Sequence, residues 1–147
     1  MRGAKVFDSW ALLAFFQNRG PAAVEVEKII SSAVARGRSI YFHSVNWTEL
    51  YATLESAGGM EVAADTATLI AQLPIEIIGG DNLEVCRQAA WHKTAYGLPL
   101  GASFAAGLAY VKKAQLVTGD PQFLPLRADM TLHWLGDPAL VAENSPQ

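Results

Sequence analysis

Two rhythms of apolar residues alternate along the chain. Short apolar runs suited to buried strands are followed by longer segments in which apolar residues recur every three or four positions, the helical spacing. Lys5-Val6-Phe7 stops at Asp8-Ser9, and Ala11-Leu12-Leu13-Ala14-Phe15-Phe16 follows with no other turn residue between. The pattern predicts a strand, a carboxylate at its C-terminal end, and a helix that starts at once. Pro21 suits the first turn of a second helix, marked by Val26, Ile29, Ile30, Ala33 and Val34 and stopped by Gly37. Ile40 to His43 reads as a second strand. Trp47, Leu50, Tyr51 and Leu54 then share a helical face, with Ser44 and Asn46 as candidate caps and Glu49 in the first turn.

Gly58-Gly59 separates this helix from another over 61–72, with Val62, Leu69 and Leu73 apolar, and Pro74 ends it. Ile75 to Ile78 is a third strand. Asp81 with Glu84 resembles a capping box, opening a helix toward Tyr96 with Leu83, Cys86, Ala89 and Ala90 as its apolar stripe. Gly97-Leu98-Pro99 breaks it. The next helix, over 100–113, is rich in glycine and alanine. Gln115 to Thr118 is a fourth strand, again ending at a carboxylate, Asp120. Thr131 to Leu135 is a short last strand, and 136–147 is expected to be a loose tail.

This alternation predicts an α/β fold: one domain over 1–135, with a central parallel sheet of four to five strands flanked by helices on both faces. Right-handed crossovers would bring Asp8, Glu49 and Asp120 to one sheet edge.

Composition narrows the class. Of the 147 residues, 51% are hydrophobic and 17% charged, which suits a packed core and argues against disorder. The apolar surplus suggests surface covered by a partner or a second copy. A net charge of −3 gives no global basic field for nucleic acid. Arg87, His92, Lys93, Lys112 and Lys113 are the local candidates for contact with an RNA backbone. The single cysteine, Cys86, excludes an intramolecular disulfide, fits a reducing cytoplasm, and reads as core filler. Lys5 and Asp8 interrupt the N-terminus too early for a signal-peptide core, and no apolar run reaches membrane length, so a cytoplasmic protein is expected.

Asp8 or Ser9 alone is explained equally well as a helix N-cap. Three acids just past strand ends say more. Side by side they repel, and a cation relieves the cost of their ionised state. Oxygen ligands of this kind suit Mg²⁺ or Mn²⁺, which also take phosphate oxygens, so metal-assisted phosphodiester hydrolysis is a plausible chemistry. His43, His92 and His133 are scattered without zinc-ligand spacing. No nucleophile-elbow, P-loop or dinucleotide glycine pattern is present.

Four segments carry a resemblance to PIN domains. The first is Val6-Phe7-Asp8-Ser9-Trp10 and the apolar helix after it. The second is Ser44 to Tyr51 around Glu49. The third is Gly97-Leu98-Pro99-Leu100-Gly101-Ala102-Ser103-Phe104-Ala105-Ala106, and the fourth is Leu116-Val117-Thr118-Gly119-Asp120-Pro121-Gln122-Phe123. Their order and spacing agree with the family over about Lys5 to Leu135, and the chain most resembles the small VapC toxins of toxin–antitoxin pairs. The resemblance implies a Mg²⁺- or Mn²⁺-dependent endoribonuclease that cuts structured RNA. It implies Asp8 and Asp120 as metal-binding acids, and Glu49 as a direct or water-mediated ligand that helps orient the attacking water. Ser9 and Thr118 would fix the carboxylates by hydrogen bonds. It also implies an antitoxin peptide and a homodimer partner, and no membrane.

The chain departs from the family pattern at Ala102, where the family places a further acid. No Asp or Glu occurs from Trp91 through Gly119, and Ser103 lies about 100° further round a helix. The expectation is impaired cleavage. Ala102 is either a natural variation or a deliberate Asp→Ala change made to produce a toxic protein. The alternative function is an inactive PIN module that binds RNA or antitoxin without cutting. A more remote one is a phosphate-handling α/β enzyme of another family.

Overall fold

The computed structural model describes residues 3–143. Among them five strands form one parallel sheet: β1 (Lys5–Phe7), β2 (Ile40–His43), β3 (Ile75–Ile78), β4 (Gln115–Thr118) and β5 (Leu132–Trp134), in the order β3-β2-β1-β4-β5. The chain winds outward from β1 through β2 to β3, then crosses to β4 on the other side of β1. The strand order therefore reverses at β1, and ligands of open α/β sheets bind beyond the strand ends at such a point. Phe7 stands opposite Phe42 and Val117, so β1, β2 and β4 end nearly level.

Side-chain alternation along the strands builds two cores. Phe7, Ile40, Phe42 and Val117 point to one face, against α1 (Ser9–Phe16), α2 (Gly20–Arg36), α3 (Ser44–Gly58) and α4 (Met60–Ala71). Val6, Tyr41, Leu116 and Leu132 point to the other, against α5 (Leu83–Tyr96), α6 (Leu100–Lys112) and a 3₁₀ helix over Pro121–Ala128. The small residues of α6 permit close packing. A Cβ on Gly107 would come within 2.6 Å of the Ala89 backbone nitrogen on α5.

Several local expectations are corrected. The α3 cap is His43, whose Nδ1 accepts from the Val45 amide at 3.0 Å, rather than Ser44 or Asn46. The α5 cap is Asn82, accepting from the Val85 amide at 3.1 Å, rather than Asp81. The face that packs on α6 also differs from the expected stripe: Val85, Ala89 and His92 are buried while Leu83 is 65% exposed. Cys86 is half-buried and donates to the Gly80 carbonyl at 3.4 Å; it is not core filler. Within the segment expected as a tail, Pro138–Glu143 forms a short helix, α7, whose Val141 carbonyl accepts from Arg127 Nη1 at 3.0 Å. The remaining tail, 144–147, lies outside the described residues. No helix among the described residues is long and apolar enough to cross a membrane.

Candidate active site

Asp8 is the first residue past β1 and is 3% exposed. Its extended backbone makes it the N-cap of α1, with Oδ1 accepting from the Ala11 amide at 2.9 Å. Capping and chemistry are not exclusive, because Oδ2 is left to face the sheet edge. There it accepts from Thr118 Oγ1 at 2.5 Å. The same threonine oxygen accepts from the Asp120 amide at 3.0 Å. Thr118 thereby ties the ends of β1 and β4 together and fixes both acids.

Asp120 caps the 3₁₀ helix. Its Oδ1 accepts from the Gln122 amide at 3.1 Å and its Oδ2 from Gln122 Nε2 at 2.6 Å. Pro121 and Pro125 lack amide donors, which suits this irregular turn.

Glu49, on the first turns of α3, is exposed. Its Oε1 accepts from Asn46 Nδ2 at 3.0 Å and from Ser9 Oγ at 3.2 Å. Ser9 thus bonds Glu49 and not Asp8. Asn46 is buried and also donates to the Gly101 carbonyl at 2.9 Å, joining α3 to α6. Gly101 is indispensable to this placement: a Cβ there would stand 1.9 Å from Glu49 Oε2. Asn46, Gly101 and Gln122 are the site residues that sequence reasoning did not assign. The signal for Asn46 was its place one helical turn before Glu49, on the same face.

Asp8 is pushed up to about 7 from the ordinary 3.8. Burial is the main cause, and the negative charges of Asp120 and Glu49 add to it, against the lowering effect of the bonds from Thr118 and Ala11. Asp120 and Glu49 therefore both lie within electrostatic reach of Asp8. The three do not form a closed cage: among the described residues no three His, Cys, Asp or Glu side chains stand as a ready metal-ligand group. Mg²⁺ keeps several waters and needs only one or two carboxylates, so Asp8 with Asp120 fits such an ion as a donor set.

Ala102 lies on α6 one residue past Gly101, 7% exposed within an apolar cluster. Ser103 does not substitute for an acid there. Its hydroxyl is buried and donates back to the Pro99 carbonyl at 2.8 Å.

One expected RNA contact is not available. His92 is buried, its Nδ1–H donating to the Gln88 carbonyl at 2.7 Å, which removes it from any phosphate-binding surface. Lys93 Nζ is bonded to the Leu98 carbonyl at 3.1 Å, and Lys112 Nζ lies 4.6 Å from the centre of the Tyr41 ring. Burial holds His43 below its usual range, hence neutral, with Nδ1 accepting and Nε2–H unpartnered among the described residues.

A five-stranded parallel sheet with helices on both faces and acids gathered beyond its central strands defines a PIN-like α/β fold. Solved toxin–antitoxin structures share it. A chain of the VapBC2 complex from Rickettsia felis, bound to a DNA fragment from its promoter, superposes with a TM-score of 0.67 at 15% identity, covering 88% of this chain and 97% of that one. A chain of VapBC-1 from nontypeable Haemophilus influenzae gives 0.64 at 16%, covering 90% and 98%. A chain of a toxin–antitoxin complex from Klebsiella pneumoniae gives 0.63 at 16%, covering 82% and 90%. No family model and no curated protein matches the chain.

Proposed function

We propose that this chain is a VapC-like toxin nuclease, a Mg²⁺- or Mn²⁺-dependent endoribonuclease of structured RNA that pairs with an antitoxin and with a second copy of itself. The observation that carries the reading is the convergence of Asp8, Asp120 and Glu49 beyond β1, β4 and β2, close enough for two of them to raise the third. Fold likeness to VapBC structures supports the toxin class.

Asp8 and Asp120 would hold the ion, which when bound supplies charge stabilisation and a more acidic water. Thr118 keeps both carboxylates in register. Glu49, steadied by Asn46 and Ser9, would accept a hydrogen bond from the attacking water and orient it toward the phosphodiester. Ala102 supplies no oxygen. Loss of even a supporting partner of a metal site costs about 10–100-fold, so the chain would cleave weakly.

Ala102 also favours a second reading, a PIN-like module that binds RNA or antitoxin without cutting. Calorimetric titration with Mn²⁺ separates the two. The nuclease reading expects binding that Asp8→Asn removes. No binding at millimolar Mn²⁺ would leave the non-catalytic module.

A further inference from the structure

At the N-terminal edge of the sheet, some 10 Å of strand from Asp8, lies a cavity of about 230 Å³ between α2 and the starts of β1 and β2. Its floor is apolar: Ile29 and Ala33 of α2 meet Ile40 of β2, all buried. Its rim is cationic. Lys5, Lys28, Arg36 and Arg38 line it, four of the chain's 11 lysines and arginines, in a protein of net charge −3.

Among the described residues Glu25 is the single carboxylate lining the cavity, and it is already engaged. Lys5 Nζ has only hydrogens to give, so His133 Nδ1 accepts from it at 3.2 Å. His133 Nε2 therefore carries the ring proton and donates to Glu25 Oε2 at 3.0 Å. Lys28 and Arg36 are exposed and have no carboxylate partner among the described residues. The groove thus presents the unpaired charges of Lys28 and Arg36 beside an apolar floor.

Size selects the occupant. Small-molecule sites enclose roughly 300–1,000 Å³, so this cavity seats a side chain or two and not a whole nucleotide. RNA phosphates would satisfy the rim cations and leave the cavity itself, lined at its base by Ile29, Ala33 and Ile40, unfilled. We infer that the groove docks a segment of a partner polypeptide in which an apolar side chain, set on the Ile29–Ala33–Ile40 floor, is flanked by carboxylates that reach Lys28 and Arg36. This is independent of the nuclease reading, since neither Asp8 nor Glu49 lines the groove.

The test follows the methyl NMR signals of Ile29 and Ile40 while a blocked hexapeptide of alternating leucine and aspartate is added, with a leucine–lysine hexapeptide and hexauridylate as comparisons. The acidic peptide should move both methyls, with an affinity that falls on adding salt. Lys28→Glu combined with Arg36→Glu should weaken it at least about tenfold, the scale of losing charge-assisted contacts. Amide spectra would verify that this variant stays folded. Larger shifts from hexauridylate would overturn the inference in favour of nucleic acid. No shift from the acidic peptide, or shifts that persist in the double variant, would overturn it outright.

Discussion

Glu49 occupies space that exists only because Gly101 has no side chain. Its Oε2 lies 1.9 Å from where a Gly101 Cβ would stand, and Asn46 holds both partners by donating to Glu49 Oε1 and to the Gly101 carbonyl. Glycine sits here in the first turn of α6, where alanine is the better helix former. The position thus trades helix stability for the placement of a carboxylate.

Gly101→Ala should therefore leave thermal stability unchanged or slightly raised, because the exposed Glu49 side chain can swing away. In the Ala102→Asp background it should lower RNA cleavage by about 10–100-fold, the cost of a lost supporting contact. Parallel melting and cleavage assays check this. A stability loss with cleavage intact would mean that Glu49 is not held for function.

Asn46→Ala should act through the same carboxylate. It removes one of the two donors to Glu49 Oε1, leaving Ser9 Oγ, and the side-chain donor to the Gly101 carbonyl, at about 0.5–1.5 kcal/mol per ordinary hydrogen bond. Asn46→Asp would place a negative charge where a donor is needed and should reduce cleavage further. Urea midpoints and cleavage rates for both variants distinguish a packing role from a positioning one.

The stability of the metal-free chain should fall as pH rises. Asp8 is raised to about 7 from 3.8, so between those values the folded state holds a proton that the unfolded chain releases. This contribution is complete below about pH 4 and is lost as pH rises through about 7, roughly a few kcal/mol in all. Urea midpoints across that range in EDTA should show the fall. Asp8→Asn should flatten it, and Mn²⁺ should reverse it by favouring the ionised carboxylate. A metal-free stability that climbs over the same window would contradict the assignment.

Thr118→Val tests the link between the two aspartates. The variant keeps the shape and loses the hydroxyl that donates to Asp8 and accepts from the Asp120 amide. A hydrogen bond to a charged group contributes about 1.5–3 kcal/mol and a neutral one about 0.5–1.5. The destabilisation should accordingly be larger near pH 8, with Asp8 ionised, than near pH 5. Equal losses at both values would mean that Thr118 acts only through packing.

Much of this arrangement is legible in the residues. The strand that stops at Asp8, the cap-like start of α3 before Glu49, and Thr118-Gly119-Asp120 all mark chain reversals at one sheet edge, and the alternation of elements puts those reversals side by side. What escaped reading depends on helix phase and on contacts between distant elements. Leu83 and Cys86 fit an apolar stripe as well as Val85 and Ala89 do, and only the close packing of Gly107 on Val85 and Ala89 fixes which face turns inward. Periodicity could not find Asn46 and Gly101 as a pair, since their contact spans 55 positions. The 3₁₀ helix after Asp120 carries no periodic apolar signal, because two prolines and a tight turn set its path.

The central claim is that the acids beyond β1, β2 and β4 form a metal-dependent nuclease site weakened at Ala102. It is tested most directly by cleavage of total RNA with Mn²⁺, comparing the chain as it stands with Ala102→Asp, each with and without Asp8→Asn. The account predicts that Ala102→Asp raises cleavage by at least about tenfold and that Asp8→Asn abolishes it. Cleavage that survives Asp8→Asn would contradict it.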